Sequence, residues 1–122
     1  MLRALLSGSF KEDVLYPWRE CIKSLLGFCD EVVVVDGGSK DGTWKELEEW
    51  SQREDKLIVH QEVRDWEHER FAVFDGLQKA LARSICTGDF CWQQDCDEVV
   101  HEDDYEKVRG ICDNFPNNID LI

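Results

Sequence analysis

Glu31-Val32-Val33-Val34-Val35-Asp36-Gly37-Gly38-Ser39-Lys40-Asp41-Gly42-Thr43 is the stretch whose reading decides the fold. Four successive β-branched valines favour an extended backbone. They show no alternation with polar residues, so both faces of this strand must be covered, as in the centre of a parallel sheet. Asp36 ends the apolar run and a Gly-rich turn follows. From Thr43 onward Trp44, Leu47 and Trp50 recur at helical spacing, which predicts a helix to about residue 53.

The same reading extends in both directions. Residues 2–6 form a short apolar strand and 7–13 a loop. Val14, Leu15, Trp18, Ile22, Leu25 and Leu26 then mark a helix, with Pro17 suited to its first turn and Gly27 to its end. Downstream, residues 57–60 are a third strand. Residues 67–84 are a long helix with the stripe Phe71, Phe74, Leu77, Leu81 and Ile85. Residues 89–94 read as a fourth strand running into Asp95-Cys96-Asp97-Glu98. Asp103 and Glu106 make a capping box for a last helix with Tyr105, Val108, Ile111 and Cys112 inward, and 119–122 read as a fifth strand. Strict alternation of strand and helix predicts an α/β fold, a mainly parallel Rossmann-like sheet with helices on both faces, in one domain over residues 1–122. A chain that stops in a strand is expected to be a truncated piece of a longer one, and the sheet edge exposed there predicts a homodimer.

Composition narrows the function. There are 27 acidic and 14 basic residues, a net charge of −13, which disfavours a nucleic-acid partner. A phosphorylated small molecule can still bind such a chain through a divalent cation. No apolar run approaches the roughly 20 residues of a transmembrane helix, and residues 1–8 lack the layout of a signal peptide. The six cysteines, Cys21, Cys29, Cys86, Cys91, Cys96 and Cys112, contain no CxxC pair. They read as free thiols of a reducing compartment, and a cytoplasmic location is expected.

In an open α/β sheet, ligands bind beyond the carboxyl ends of the strands. Loops 7–12, 36–42 and 95–98 all leave such ends, so Asp36, Asp95 and Asp97 are expected to converge along one edge. Asp36 can serve a nucleobase or ribose, or it can cap its own turn; spacing alone leaves both open. Asp95-Cys96-Asp97 is a DxD triplet whose hard oxygen ligands suit Mg²⁺ or Mn²⁺. An EF-hand is excluded, because Val99 and Val100 stand where that loop needs an oxygen ligand and a glycine. A dinucleotide fingerprint fails on spacing, since Ser39 stands where the second glycine belongs. His60, His68 and His101 have no metal-ligand spacing, and Arg64 and Arg70 read first as surface ion-pairing residues and second as phosphate ligands.

Residues 31–43 resemble the strand-two signature of the family 2 glycosyltransferases, an apolar run followed by D-x-x-S-x-D-G-T. Residues 88–98 are similar to that family's strand into the DxD motif. The resemblance implies a GT-A fold and an enzyme that binds a nucleotide-diphosphate sugar through Mg²⁺ or Mn²⁺ and transfers the sugar to an acceptor hydroxyl with inversion. It implies that Asp36 contacts the nucleobase, that Asp95 approaches the ribose or donor sugar, and that Asp97, with Asp95, ligates the metal. Ser7, Phe10 and Glu12 of the first loop, Gly38, and Arg70 would complete the nucleotide-sugar pocket. The first loop reads Ser7-Gly8-Ser9-Phe10 where relatives often have Pro-Thr-Tyr-Asn, and Phe74-Asp75 stands where many have Arg-Asn. The family's acceptor-binding half and general base usually follow the DxD region, so the base is expected beyond Ile122 and the acceptor is unassigned. A non-catalytic nucleotide-binding or assembly module of the same fold is the alternative.

Overall fold

The structure is a computed structural model that describes residues 16–65 and 71–116. Strands β1 (Val32–Asp36) and β2 (Leu57–Gln61) form a parallel pair in the register Val32↔Leu57 through Asp36↔Gln61. Helix α2 (Thr43–Ser51) connects them, the β-α-β unit expected from the valine strand and its turn. All five residues of β1 are buried.

The pleat of β1 sends alternate valines to opposite layers. Val32 and Val34 pack with Trp18, Cys21, Ile22 and Leu25 of α1 (Trp18–Leu26), with Leu47 of α2, and with Phe28, Leu57 and Cys96. Val33 and Val35 meet Ala82 of α3 (Phe71–Ile85), flanked by Leu81, Ile85 and Cys86. Helices therefore cover both faces, which is why the run had to be apolar throughout. The buried face of α1 is Trp18, Cys21, Ile22 and Leu25, spaced i, i+3, i+4, i+7. Gly27 follows because space requires it: a Cβ there would collide with the Tyr105 ring, although its φ of −69° suits any residue. Tyr105 stacks on Phe28 at 4.9 Å and so ties α4 (Tyr105–Asp113) to the end of α1.

Four expectations need correction or fall elsewhere. Residues 89–94 are irregular backbone, and the sheet among the described residues has two strands. A strand exists through its ladder, and no described segment pairs with this one. Along α3 the buried ridge is Phe74, Gln78 and Ala82, while Leu77 of the predicted stripe is 45% exposed. The i, i+4 ridge brings the smallest side chain, Ala82, against the valines and permits close approach. The expected capping box is replaced by His101, whose Nδ1 accepts from the Asp103 N–H and starts a 3₁₀ turn (Glu102–Asp104) ahead of α4, and Ile111 faces outward. The strands expected over residues 2–6 and 119–122 lie outside the described residues. No described helix is long and apolar enough to cross a membrane.

Candidate functional site

Asp36 sits at the carboxyl end of β1 and is 2% exposed. Its Oδ2 accepts from Gly38 N at 3.0 Å, Ser39 N at 2.9 Å and Gln61 Nε2 at 2.9 Å. Its Oδ1 accepts from the Ser39 hydroxyl. A buried carboxylate is costly unless donors meet it, and here four do. Gln61 is the parallel-register partner of Asp36, so the pairing of β1 with β2 brings the amide to the carboxylate. The ladder continues past the strand ends, with Glu62 N on Asp36 O at 2.8 Å and Arg64 N on Gly37 O at 3.2 Å. Gly38 has φ +104°, a left-handed conformation that favours glycine, and a Cβ there would approach Val63 Cγ1 to 3.2 Å. The turn closes at Asp41, whose Oδ1 accepts from Thr43 N, the first N–H of α2, at 3.0 Å, with Gly42 as the N-cap. The Thr43 hydrogen bonds hold the Asp41 carboxyl below its ordinary range.

The acidic loop is built differently. Cys96 is 8% exposed and belongs to the core around α1, while Asp95 and Asp97 on either side are exposed. The middle residue of the triplet is thus an anchor that turns both carboxylates outward. The backbone closes a tight turn: Glu98 N donates to Asp95 O at 3.1 Å, and Asp95 N donates to Glu98 Oε2 at 2.9 Å. Beneath it the buried Gln94 donates from Nε2 to Glu98 O at 2.9 Å and accepts from Trp92 Nε1 at 3.0 Å. Cys21 of α1 donates its thiol to Asp95 O at 3.4 Å. Burial pushes the thiols of Cys21, Cys29 and Cys96 up to about 11, about 12 and about 12, so they act as neutral packing groups.

Helix α3 ties the segment after β2 to the DxD loop through consecutive residues. Gln78 accepts from Arg64 Nε at 2.9 Å, and Arg64 in turn lies 5.5 Å from the centre of the Phe74 ring. Lys79 Nζ lies 2.9 Å from Asp75 Oδ2 and 3.0 Å from Asp95 Oδ1. The bond to Asp75 raises the Lys79 pKa more than partial burial lowers it, and Asp95 adds to the rise. The segment after β2 and the DxD loop are therefore held to the same stretch of one helix. Among the described residues no three His, Cys, Asp or Glu side chains form a ready metal cage. The donor set of the DxD loop is two outward carboxylates, which fits a small hard cation that takes its remaining ligands from water and phosphate.

Of the expected site residues, Asp36, Gly38, Asp95 and Asp97 lie on these two loops. Ser7, Phe10, Glu12 and Arg70 lie outside the described residues. Sequence reasoning passed over Gln61, Gln78 and Lys79. The first could have been found from the parallel register, which puts it opposite Asp36, and the i, i+4 pairing of Lys79 with Asp75 was readable as well. The reach of Lys79 to Asp95 was not.

A parallel β-α-β layer with a pinned acidic turn at one strand end, and a DxD loop held against α1 and α3, is the arrangement of an α/β chain of the GT-A type. The sequence profile of Glycosyl transferase family 2 matches residues 18–119, and the chain belongs to that family. No curated protein matches by sequence search. Among solved structures, S. aureus TarS 1–349 aligns with a TM-score of 0.68 at 21% identity, covering 92% of this chain and 32% of that one. S. aureus TarS 1–349 in complex with UDP gives 0.65 at 18% identity, covering 99% and 38%. The mannosyltransferase PcManGT from Pyrobaculum calidifontis, in complex with GDP-Man and Mn²⁺, gives 0.61 at 18% identity, covering 93% and 32%. The chain spans about a third of the length of these relatives.

Proposed function

We propose that the chain is the donor-binding part of a glycosyltransferase, and that it holds a nucleotide-diphosphate sugar through a divalent cation at Asp95 and Asp97. The observation that carries this reading is the DxD loop itself, with Cys96 anchored in the core and both carboxylates turned outward. Family membership supports it, as do the UDP and the GDP-Man with Mn²⁺ named in the two structural relatives.

Asp36 would serve first by fixing the turn, and a nucleobase N–H would reach it at Oδ1, which accepts one of the four donated bonds while Oδ2 accepts three. Gly38 would keep the turn low against Val63; its own N–H is already donated to Asp36. Ser7, Phe10, Glu12 and Arg70 would complete the pocket. When bound, Mg²⁺ or Mn²⁺ would offset the negative charge that grows on the departing diphosphate. Transfer would proceed with inversion, the acceptor hydroxyl attacking the anomeric carbon as a carboxylate takes its proton and the diphosphate leaves. The buried thiols accord with a reducing, cytoplasmic setting.

Isothermal titration of UDP and GDP, with and without Mn²⁺, tests this reading. The expected result is saturable binding of one diphosphate in the presence of Mn²⁺ that EDTA abolishes. Equal binding with and without the cation would overturn it.

A further inference from the structure

We propose that Lys79 is a built-in counter-cation for Asp95 that a divalent ion must displace, so that the DxD loop binds metal weakly until a diphosphate adds its own charge. The proposal rests on the donor-site reading above. Lys79 Nζ is shared between Asp75 and Asp95, at 2.9 and 3.0 Å, and its side chain is only 20% exposed. Asp75 lies one turn earlier on α3, so the ammonium is tethered to the helix rather than carried by the acidic loop. Asp95 is the partner open to solvent, with a side chain 55% exposed against 26% for Asp75.

That arrangement has two consequences. An oxygen of Asp95 that faces an ammonium at 3.0 Å offers a divalent cation less negative charge and less room. When Asp95 turns to a metal, however, Lys79 keeps Asp75, so the exchange leaves no charge without a partner. A dication brought near a retained ammonium meets a repulsion on the order of tenfold in affinity, even with water-like screening. The two phosphates of a nucleotide would offset that repulsion, which couples metal binding to donor binding.

The test is Mn²⁺ affinity without nucleotide, read from the free-ion electron paramagnetic resonance signal, for the whole 122-residue chain. Lys79→Met is expected to bind Mn²⁺ about tenfold more tightly than the native chain. The double variant Lys79→Met, Asp95→Asn is expected to lose that gain. Lys79→Gln, which keeps a polar side chain, should reproduce the gain if Lys79→Met folds poorly, and circular dichroism checks each variant. Unchanged or weaker affinity in both Lys79 variants, with Asp97→Asn still abolishing Mn²⁺ binding, would overturn the role of Lys79 alone. Absence of Mn²⁺ binding in every variant, with or without diphosphate, would overturn both this proposal and the donor-site reading.

Discussion

Asp97→Asn is expected to lower the Mn²⁺-dependent affinity for a nucleoside diphosphate by at least about 100-fold, since even the outer partners of metal ligands are worth roughly 10–100-fold. The substitution should leave the fold in place. Asp97 is exposed, whereas the loop is fixed by its neighbours: Cys96 in the core, Gln94 beneath the turn, and Glu98 on the Asp95 N–H. An exposed carboxylate converted to its isosteric amide changes stability by no more than about 0.5 kcal/mol. Calorimetric titration and urea unfolding on the same preparation separate the two quantities. Nucleotide affinity within a few-fold of the native value would remove Asp97 from the metal site.

Asp36→Asn is expected to act the other way, mainly on stability. Its carboxylate is buried and accepts from Gly38 N, Ser39 N, the Ser39 hydroxyl and Gln61 Nε2. The amide replaces charge-assisted bonds with neutral ones and puts an N–H₂ group where an acceptor stood. A net loss of about 2–3 kcal/mol is expected. It should appear as a lower urea midpoint at constant slope, which marks a change in stability rather than in the extent of unfolding. A loss under about 0.5 kcal/mol would mean that the turn holds without the charge. If the folded variant also keeps native nucleotide affinity, Asp36 serves the turn and makes no contact with the base.

These two carboxylates show what was legible in the sequence. The valine run announced a strand covered on both faces, and the two cores it joins are made of its alternate residues. The D-x-x-S-x-D-G-T turn was equally readable, because its contacts are local: Asp36 to residues 38 and 39, Asp41 to Thr43. For Asp36 the spacing left both cap and ligand open; the bonds to residues 38 and 39 show the cap, and a contact with a base is what the nucleotide titration of Asp36→Asn decides. Long-range pairing was not legible. Nothing local distinguishes residues 89–94 from a strand, since strand status depends on a neighbour's ladder. Hydrophobicity alone places Leu77 on the inner stripe of α3, but packing against the valines selects Ala82 for its size and buries Gln78 beside it. Lys79 reads as an ordinary i, i+4 partner of Asp75, and only the placement of the DxD loop against α3 reveals its second carboxylate.

The proposed function makes the turn after β1 and the DxD loop parts of one cation-dependent nucleotide site. Paramagnetic broadening of backbone amide signals by Mn²⁺, recorded with a saturating nucleoside diphosphate, tests it most directly. The expected result is that the signals of residues 95–98 vanish first and that those of 37–41 broaden as well, with Asp97→Asn reversing the effect. Broadening spread over the acidic surface, or centred on residues 102–104, would contradict it.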